Sequence, residues 1–186
     1  MTYADALRPT VKKYALLYDI SLILGGSLFI ALLAQLAVHL PFSPVPITGQ
    51  TLGVLLAGAL LGKMRGTLTV LTYLTEGVSG LPVFAGATAG PAVLLGPTGG
   101  YLIGFVFAAY LTGYLADKGW TEKISTSLLT MLAGTLMIFF FGMAWLSQLF
   151  PADMVFSMGF VPFVPGAIVK ILLATALLPI GWRWLK

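Results

Sequence analysis

The chain has 186 residues, 59% of them hydrophobic and 9% charged, with a net charge of +4 and a mean hydropathy of +1.00. A soluble domain carries roughly a quarter of its residues as charges to cover its surface, so this composition excludes a soluble fold and implies one integral membrane domain over residues 1–186. Cysteine is absent, which excludes disulfides, cysteine nucleophiles and thiolate metal sites, and the single His39 cannot build a metal centre alone.

Arg8, Lys12 and Lys13 precede the first apolar run. That run continues for about twenty residues, too long for the core of a signal peptide, and reads as a retained membrane helix over 19–38. Asp19 reads as an interfacial residue at its start, and His39, close to Pro41, as a solvated loop residue. "PVPITGQTLG", Pro44 to Gly53, is a rigid loop that delivers Thr48 and Gln50 to the top of a short second helix over 50–62. Gln50 can donate and accept at an amide-like group, with helix capping as the even alternative.

A third short helix over 66–79 carries Tyr73 and Glu76, and "GLPVFAG" then sets Phe84 where an apolar wall suits a ligand with a hydrocarbon part. Regular helix stops at the Pro and Gly residues flanking these two short spans, and irregular backbone at that depth must be buried in protein or face a water-filled cavity. "GPTGGYLIG", Gly96 to Gly104, opens a fourth helix over 99–117. Thr98 can cap it, and Gly99 and Gly100 let a ligand or another backbone approach the first-turn N–H groups. Gly100, Gly104 and Ala108 also form a stripe along which two helices can touch, so packing competes with ligand binding here. A fifth helix covers 124–148, Asp153 reads as interfacial, and a sixth helix covers 162–182. Tyr73, Tyr101 and the aromatics of the fifth helix are equally bundle core, interfacial belt or site wall.

The basic residues test this six-helix bundle. Arg8, Lys12, Lys13, Lys63, Arg65, Lys118, Lys123, Arg183 and Lys186 all fall on one side, and loops 39–49, 80–98 and 149–161 contain no Lys or Arg, which puts both termini in the cytoplasm. Lys170 is left over, roughly 12 Å from the outer end of its helix. Its stem is too short to snorkel to the cytoplasmic headgroups. Three readings stand: a lysine that snorkels outward, a structural pair with Glu76, or a cation that meets an anionic ligand group. GxxxxGK[ST] occurs nowhere, so the chain does not bind ATP in that way, and scattered basic residues do not suggest nucleic acid. An intramembrane enzyme would need a nucleophile and base at depth, and a channel would need polar residues along several helices; the sequence offers neither.

"PVPITGQTLGVLLAGALLG", "YLTEGVSGLPVFAG", "GPTGGYLIGF" with "AAYLTGYLAD", and "PFVPGAIVK", in this order and spacing, together resemble the BioY family, the biotin-specific S components of energy-coupling factor (ECF) transporters. The resemblance covers nearly the whole chain. It implies an all-α, six-helix S component of the cytoplasmic membrane that binds biotin near the outer face under the first outer loop, with no cofactor and no catalysis. It also implies docking through small residues of the first helix, here Ser27, Ala31, Ala34 and Ala37, onto a transmembrane coupling protein driven by two cytosolic ATPases. Some family members work without a dedicated coupling module, so a solitary transporter is the alternative. The candidates for substrate contact are Lys170, Gln50, Thr48, Phe84, Thr98, Gly100, Tyr101, Tyr73 and Glu76. Lys170 would meet either the carboxylate of biotin or its ureido oxygen. One departure stands out: many members carry an aspartate three residues before the lysine, and here that residue is Ala167.

Overall fold

A computed structural model describes residues 2–185 and is almost wholly helical. In chain order the elements are α1 (Tyr3–Ala6), α2 (Lys12–Ala34), a two-residue antiparallel ladder of β1 (Ala37–Val38) and β2 (Ile47–Thr48), α3 (Gln50–Val78), α4 (Ala92–Leu95), α5 (Gly99–Asp117), α6 (Ile124–Leu146), α7 (Ala152–Gly159) and α8 (Val164–Leu185). Among the described residues, five helical segments are long and apolar enough to cross a membrane: α2, α3, α5, α6 and the stretch Ala152–Arg183. Lys186, grouped above with the cytoplasmic basic residues, lies outside the described residues.

The first long helix starts earlier than its hydropathy suggests, at Lys12 instead of 19, and ends at Ala34. Asp19 therefore sits inside the helix and not at its end. Its carboxylate accepts from the Arg8 guanidinium and, at 2.9 Å, from Arg65, and this pairing lets the helix run through an acidic residue. Beyond Ala34 the chain enters β1, and the residues of the Pro41–Pro46 stretch that precede a proline are biased away from helix.

The second and third expected helices are one helix by hydrogen bonding, broken at Gly62 (φ 82, ψ 175). That φ belongs to the region glycine adopts at little cost. The break turns α3 back on itself: a Cβ on Gly66 would stand 2.7 Å from the Gly58 Cα, so the two arms touch backbone to backbone. Residues 58 and 66 of a straight helix would lie about 12 Å apart. Where the sequence suggested a loop over 63–65, one glycine suffices. At the other end of the chain α7 fills part of the expected loop 149–161, and a 3₁₀ turn, Val161–Phe163, leads into α8.

The small-residue stripe of α2 faces inward. Ser27, Ala31 and Ala34 are 1%, 6% and 0% exposed, and the Ser27 hydroxyl donates to Glu76 of α3 at 3.0 Å. Small side chains that let a partner approach also let α2 close on its own neighbour, and in this chain they pack inward. Ala37 is half-buried in β1. The exposed face of α2 carries Leu16, Leu17, Leu24, Leu28 and Leu32.

Contacts distinguish the two ends of the bundle. At one end lie α1, the Gly62 break, the end of α5 and the end of α8: Tyr3 packs on Trp182, Trp182 Nε1 donates to Thr121, and the Lys63 amide donates to Asp117. Asp5 closes a capping box with Thr2 and pairs with Arg65. Burial pushes the Asp5 carboxyl up, but the Thr2 amide and hydroxyl and the Arg65 guanidinium outweigh it and hold the group below the usual aspartate range. At the opposite end the loops lock together: Gln35 donates to the Phe84 carbonyl, Ser43 to Met158, Tyr101 to Gly159 and Trp145 to Gly96.

Candidate ligand-binding site

At the loop end, β2 and the start of α3 form one wall of a cavity, and α5, α6 and α8 supply the others. The space between these walls, open mouth included, is about 670 Å³. Its lining is mostly apolar: Val45, Leu55, Leu102, Phe105, Ile138, Phe139, Phe163 and Ala167 among others. Polar groups enter from Thr48, Gln50, Thr51, Thr98, Thr135 and Lys170.

Lys170 reaches the cavity from the second turn of α8. Its ammonium donates to the Thr48 carbonyl at 2.6 Å and to Thr51 Oγ1 at 2.8 Å. An ammonium has three donors, so one remains for a ligand. No carboxylate pairs with Lys170 among the described residues, and none lines the cavity. The site therefore carries one cation with neutral acceptors only, which suits an oxygen-rich or anionic group.

Gln50 is fixed by its neighbours. Its Oε1 accepts from the Thr48 hydroxyl at 2.9 Å, its Nε2 donates to the Tyr73 hydroxyl, and Tyr73 donates onward to the Val83 carbonyl at 3.1 Å. A primary amide has further donor and acceptor capacity beyond these two bonds, and it lies on the cavity wall. The chain Thr48–Gln50–Tyr73–Val83 links the β2 loop, both arms of α3 and the loop after α3, so the polar wall is held in one orientation.

Five of the sequence candidates thus line one cavity: Lys170, Gln50, Thr48, Thr98 and Tyr101. Four do not. Tyr73 stands behind Gln50, fully buried, with its ring edge-on to Phe84 at 5.5 Å. Phe84 lines a neighbouring chamber with His39, Pro46 and Gln50. Gly100 packs against Trp145 and the Phe141 carbonyl, so the first turn of α5 is closed by protein. Glu76 points to the α2 side, bonded to Ser27, in a groove with Thr72, Thr75 and Ser79. A Lys170–Glu76 pair, one of three readings of that lysine, is absent. Thr51, Leu55, Thr135, Phe139 and Phe163 are among the lining residues that the sequence did not single out as ligand contacts. Thr51 adjoins Gln50 and Phe163 lies in "PFVPGAIVK", so the motifs held a signal for both. Thr135 and Phe139, one turn apart on an apolar helix, carried none.

Residues 7–186 match the BioY family. The chain is similar to a biotin transporter BioY of Rhizobium etli, 36% identical over 165 residues, covering 81% of this chain and 87% of the relative. It is likewise similar to a biotin transporter BioY of Thermotoga maritima, 40% identical over 154 residues, covering 82% and 90%. Among solved structures it superposes on a crystal structure of the S component for biotin from an ECF-type ABC transporter, with a TM-score of 0.83, 28% identity, and coverage of 94% of this chain and 95% of that one.

Proposed function

This chain belongs to the BioY family, and from that premise we propose that it captures biotin in the cavity at Lys170 and carries it across the cell membrane as the substrate-specific component of an ECF-type transporter. The observation that carries the assignment to this cavity is the free donor of a cation without a counter-charge, set in a mostly apolar enclosure. Biotin offers matching chemistry: an aliphatic chain and thioether ring for the apolar walls, and a carboxylate and a ureido carbonyl as acceptors. Lys170 supplies the strong donor, and the fixed amide of Gln50, with Thr98 and Thr135, serves the remaining polar atoms.

Six spans are proposed, namely α2, the two arms of α3 on either side of Gly62, α5, α6 and α8, with both termini in the cytoplasm. The distribution of charge supports this: Arg8, Lys12, Lys13, Lys63, Arg65, Lys118, Lys123 and Arg183 are remote from the cavity, and the loops around the cavity hold no Lys or Arg. The cavity is then at the outer face. The partners proposed are a transmembrane coupling protein and two cytosolic ATPases, in keeping with the kinship to an S component. The ligand is released unaltered, so the reading is of a carrier and not an enzyme.

Equilibrium dialysis of the purified protein with labelled biotin tests the assignment. Saturable one-to-one binding, with biotin recovered unchanged, is expected. Absence of saturable binding in both detergent and nanodiscs contradicts it.

A further inference from the structure

Pro46, Gln50, Thr98 and Leu102 line the ligand cavity and also the chamber that holds Phe84, so the two spaces adjoin across these four residues. The rest of the chamber wall comes from His39 and Pro44 in the connection between β1 and β2, from Phe84, Ala85 and Thr88 after α3, and from Val93 of α4. The space between these residues, open mouth included, is about 540 Å³.

The segment that forms this wall is tied down. Gln35 donates to the Phe84 carbonyl at 3.2 Å and accepts from the Ala87 amide at 2.9 Å, and the Phe84 amide donates to the Thr88 carbonyl at 3.1 Å. Phe84 is buried, with its ring edge-on to Tyr73, the residue behind Gln50. The chamber wall is therefore held by the same contacts that orient the Gln50 amide.

Its chemistry differs from that of the cavity. The cavity carries Lys170, whereas no Lys, Arg, Asp or Glu lines the chamber. Gln50 and Thr98 stand at the partition, and His39 and Thr88 are exposed to solvent. Gln50 retains one amide N–H and one lone pair beyond its bonds to Tyr73 and Thr48. The Thr88 hydroxyl already donates to the Ala85 carbonyl at 3.0 Å, which leaves its oxygen as an acceptor, and the His39 ring adds further polar capacity. This is a neutral, polar-edged space that leads from the cavity wall towards water.

Biotin can be lengthened without altering its rings at the carboxyl that ends its aliphatic chain. An amide formed there keeps both carbonyl oxygens as acceptors, so Lys170 loses no partner whichever of them it holds. We propose that the chamber is a subsite for the amine-derived half of biotinyl amides, of which biotinyl-lysine is the simplest amino-acid example. The biotinyl half fills the cavity, the amide lies beside Gln50, and the amino-acid end reaches water past His39 and Thr88. The proposal rests on the reading of the chain as a biotin carrier and widens its substrate class from the free acid to its amide conjugates.

Competition against labelled biotin, with the purified protein in nanodiscs, tests it. Biotinyl-lysine is expected to displace biotin from the parent protein with an affinity within about tenfold of biotin's own. Ala85→Trp fills the chamber from a residue outside the cavity lining. It is expected to weaken biotinyl-lysine by at least about tenfold and to leave biotin within about twofold. Thr88→Trp intrudes from the solvent side and decides the matter if Ala85→Trp does not fold. A parent protein that binds biotin and excludes biotinyl-lysine defeats the subsite alone, and one that binds neither defeats the carrier reading with it. Equal loss of both ligands in a folded variant, or loss of neither, also overturns the subsite, because the amino-acid end then lies elsewhere.

Discussion

The two ends of the bundle treat charge in opposite ways. At the α1 end, Arg8 and Arg65 are matched by Asp5 and Asp19, with Arg65 bridging both carboxylates. At the loop end, Lys170 has a backbone carbonyl and a hydroxyl for partners and no carboxylate. A matched cluster satisfies itself and fixes geometry, so its disruption should appear as lost stability. A cation left with one donor unused is less favourable in the empty protein and useful when an oxygen-bearing ligand arrives, so its removal should appear as lost affinity.

The largest effect that would sharpen this contrast is expected at Arg65. Arg65→Met leaves Asp5 and Asp19 short of a counter-charge; the Arg65 side chain is 14% exposed but Asp5 and Asp19 are 40% and 19% exposed, so losing these two part-exposed pairs together costs on the order of 2–3 kcal/mol, below the figure for fully buried pairs. A clearly lower thermal midpoint is expected, with biotin affinity in the folded fraction unchanged within about twofold. A stable Arg65→Met protein with weakened biotin binding would reverse the roles assigned to the two ends.

Lys170→Met is the converse. Loss of a charge-assisted hydrogen bond in a desolvated pocket is expected to remove about 1.5–3 kcal/mol of binding, roughly 10-fold to 150-fold in affinity, with little change in thermal midpoint. Adding Glu76→Gln should restore nothing, because Glu76 is bonded to Ser27 on the far side of α3. Rescue of stability by the double variant would show that the two residues pair after all.

Smaller effects probe the supports. Tyr73→Phe removes the buried hydroxyl that accepts from Gln50 and donates to the Val83 carbonyl, and is expected to cost about 1–2 kcal/mol of stability, with a modest loss of affinity as the amide loses its orientation. At the α1 end the depressed Asp5 carboxyl makes stability depend on acidity. Its contribution is fully present above the unfolded aspartate value of about 3.9 and is lost as the pH falls through its lower folded value. The thermal midpoint of the native protein should therefore fall below about pH 4 more steeply than that of Asp5→Asn.

Much of the cavity was legible because its polar residues sit at element boundaries, where the sequence changes character. Thr48 and Gln50 close a proline-rich loop, Thr98 precedes a helix, and Lys170 is the one basic residue that topology leaves over. What was hidden is azimuth. Tyr73 and Glu76 are three residues apart on α3, yet one faces Gln50 and the other Ser27, and no local pattern marks the difference, because polar residues sit on more than one side of this arm: Thr69 is buried, while Thr72 and Thr75 line the groove beside Glu76. Thr135 and Phe139 were missed for the same reason. For the stripe Ser27, Ala31 and Ala34, small size signals close approach without saying to what. The fold at Gly62 was half-visible: two short spans were expected, but the tightness of their hairpin depends on Gly58 and Gly66 meeting across it, a contact between positions that hydropathy does not pair.

The claim that biotin occupies the cavity between β2, α5, α6 and α8 is tested most directly by protection of a cysteine in its wall. Ala167→Cys places a single thiol one turn from Lys170 in a chain that has no other cysteine, and Thr72→Cys, in the groove beside Glu76, serves as control. Saturating biotin is expected to slow maleimide labelling at the first position by at least about tenfold and to leave the second unchanged, as occupancy of a site near 90% or more requires. Equal labelling of the Ala167→Cys protein with and without biotin, in a sample that binds biotin stoichiometrically, would place the ligand elsewhere and contradict the account.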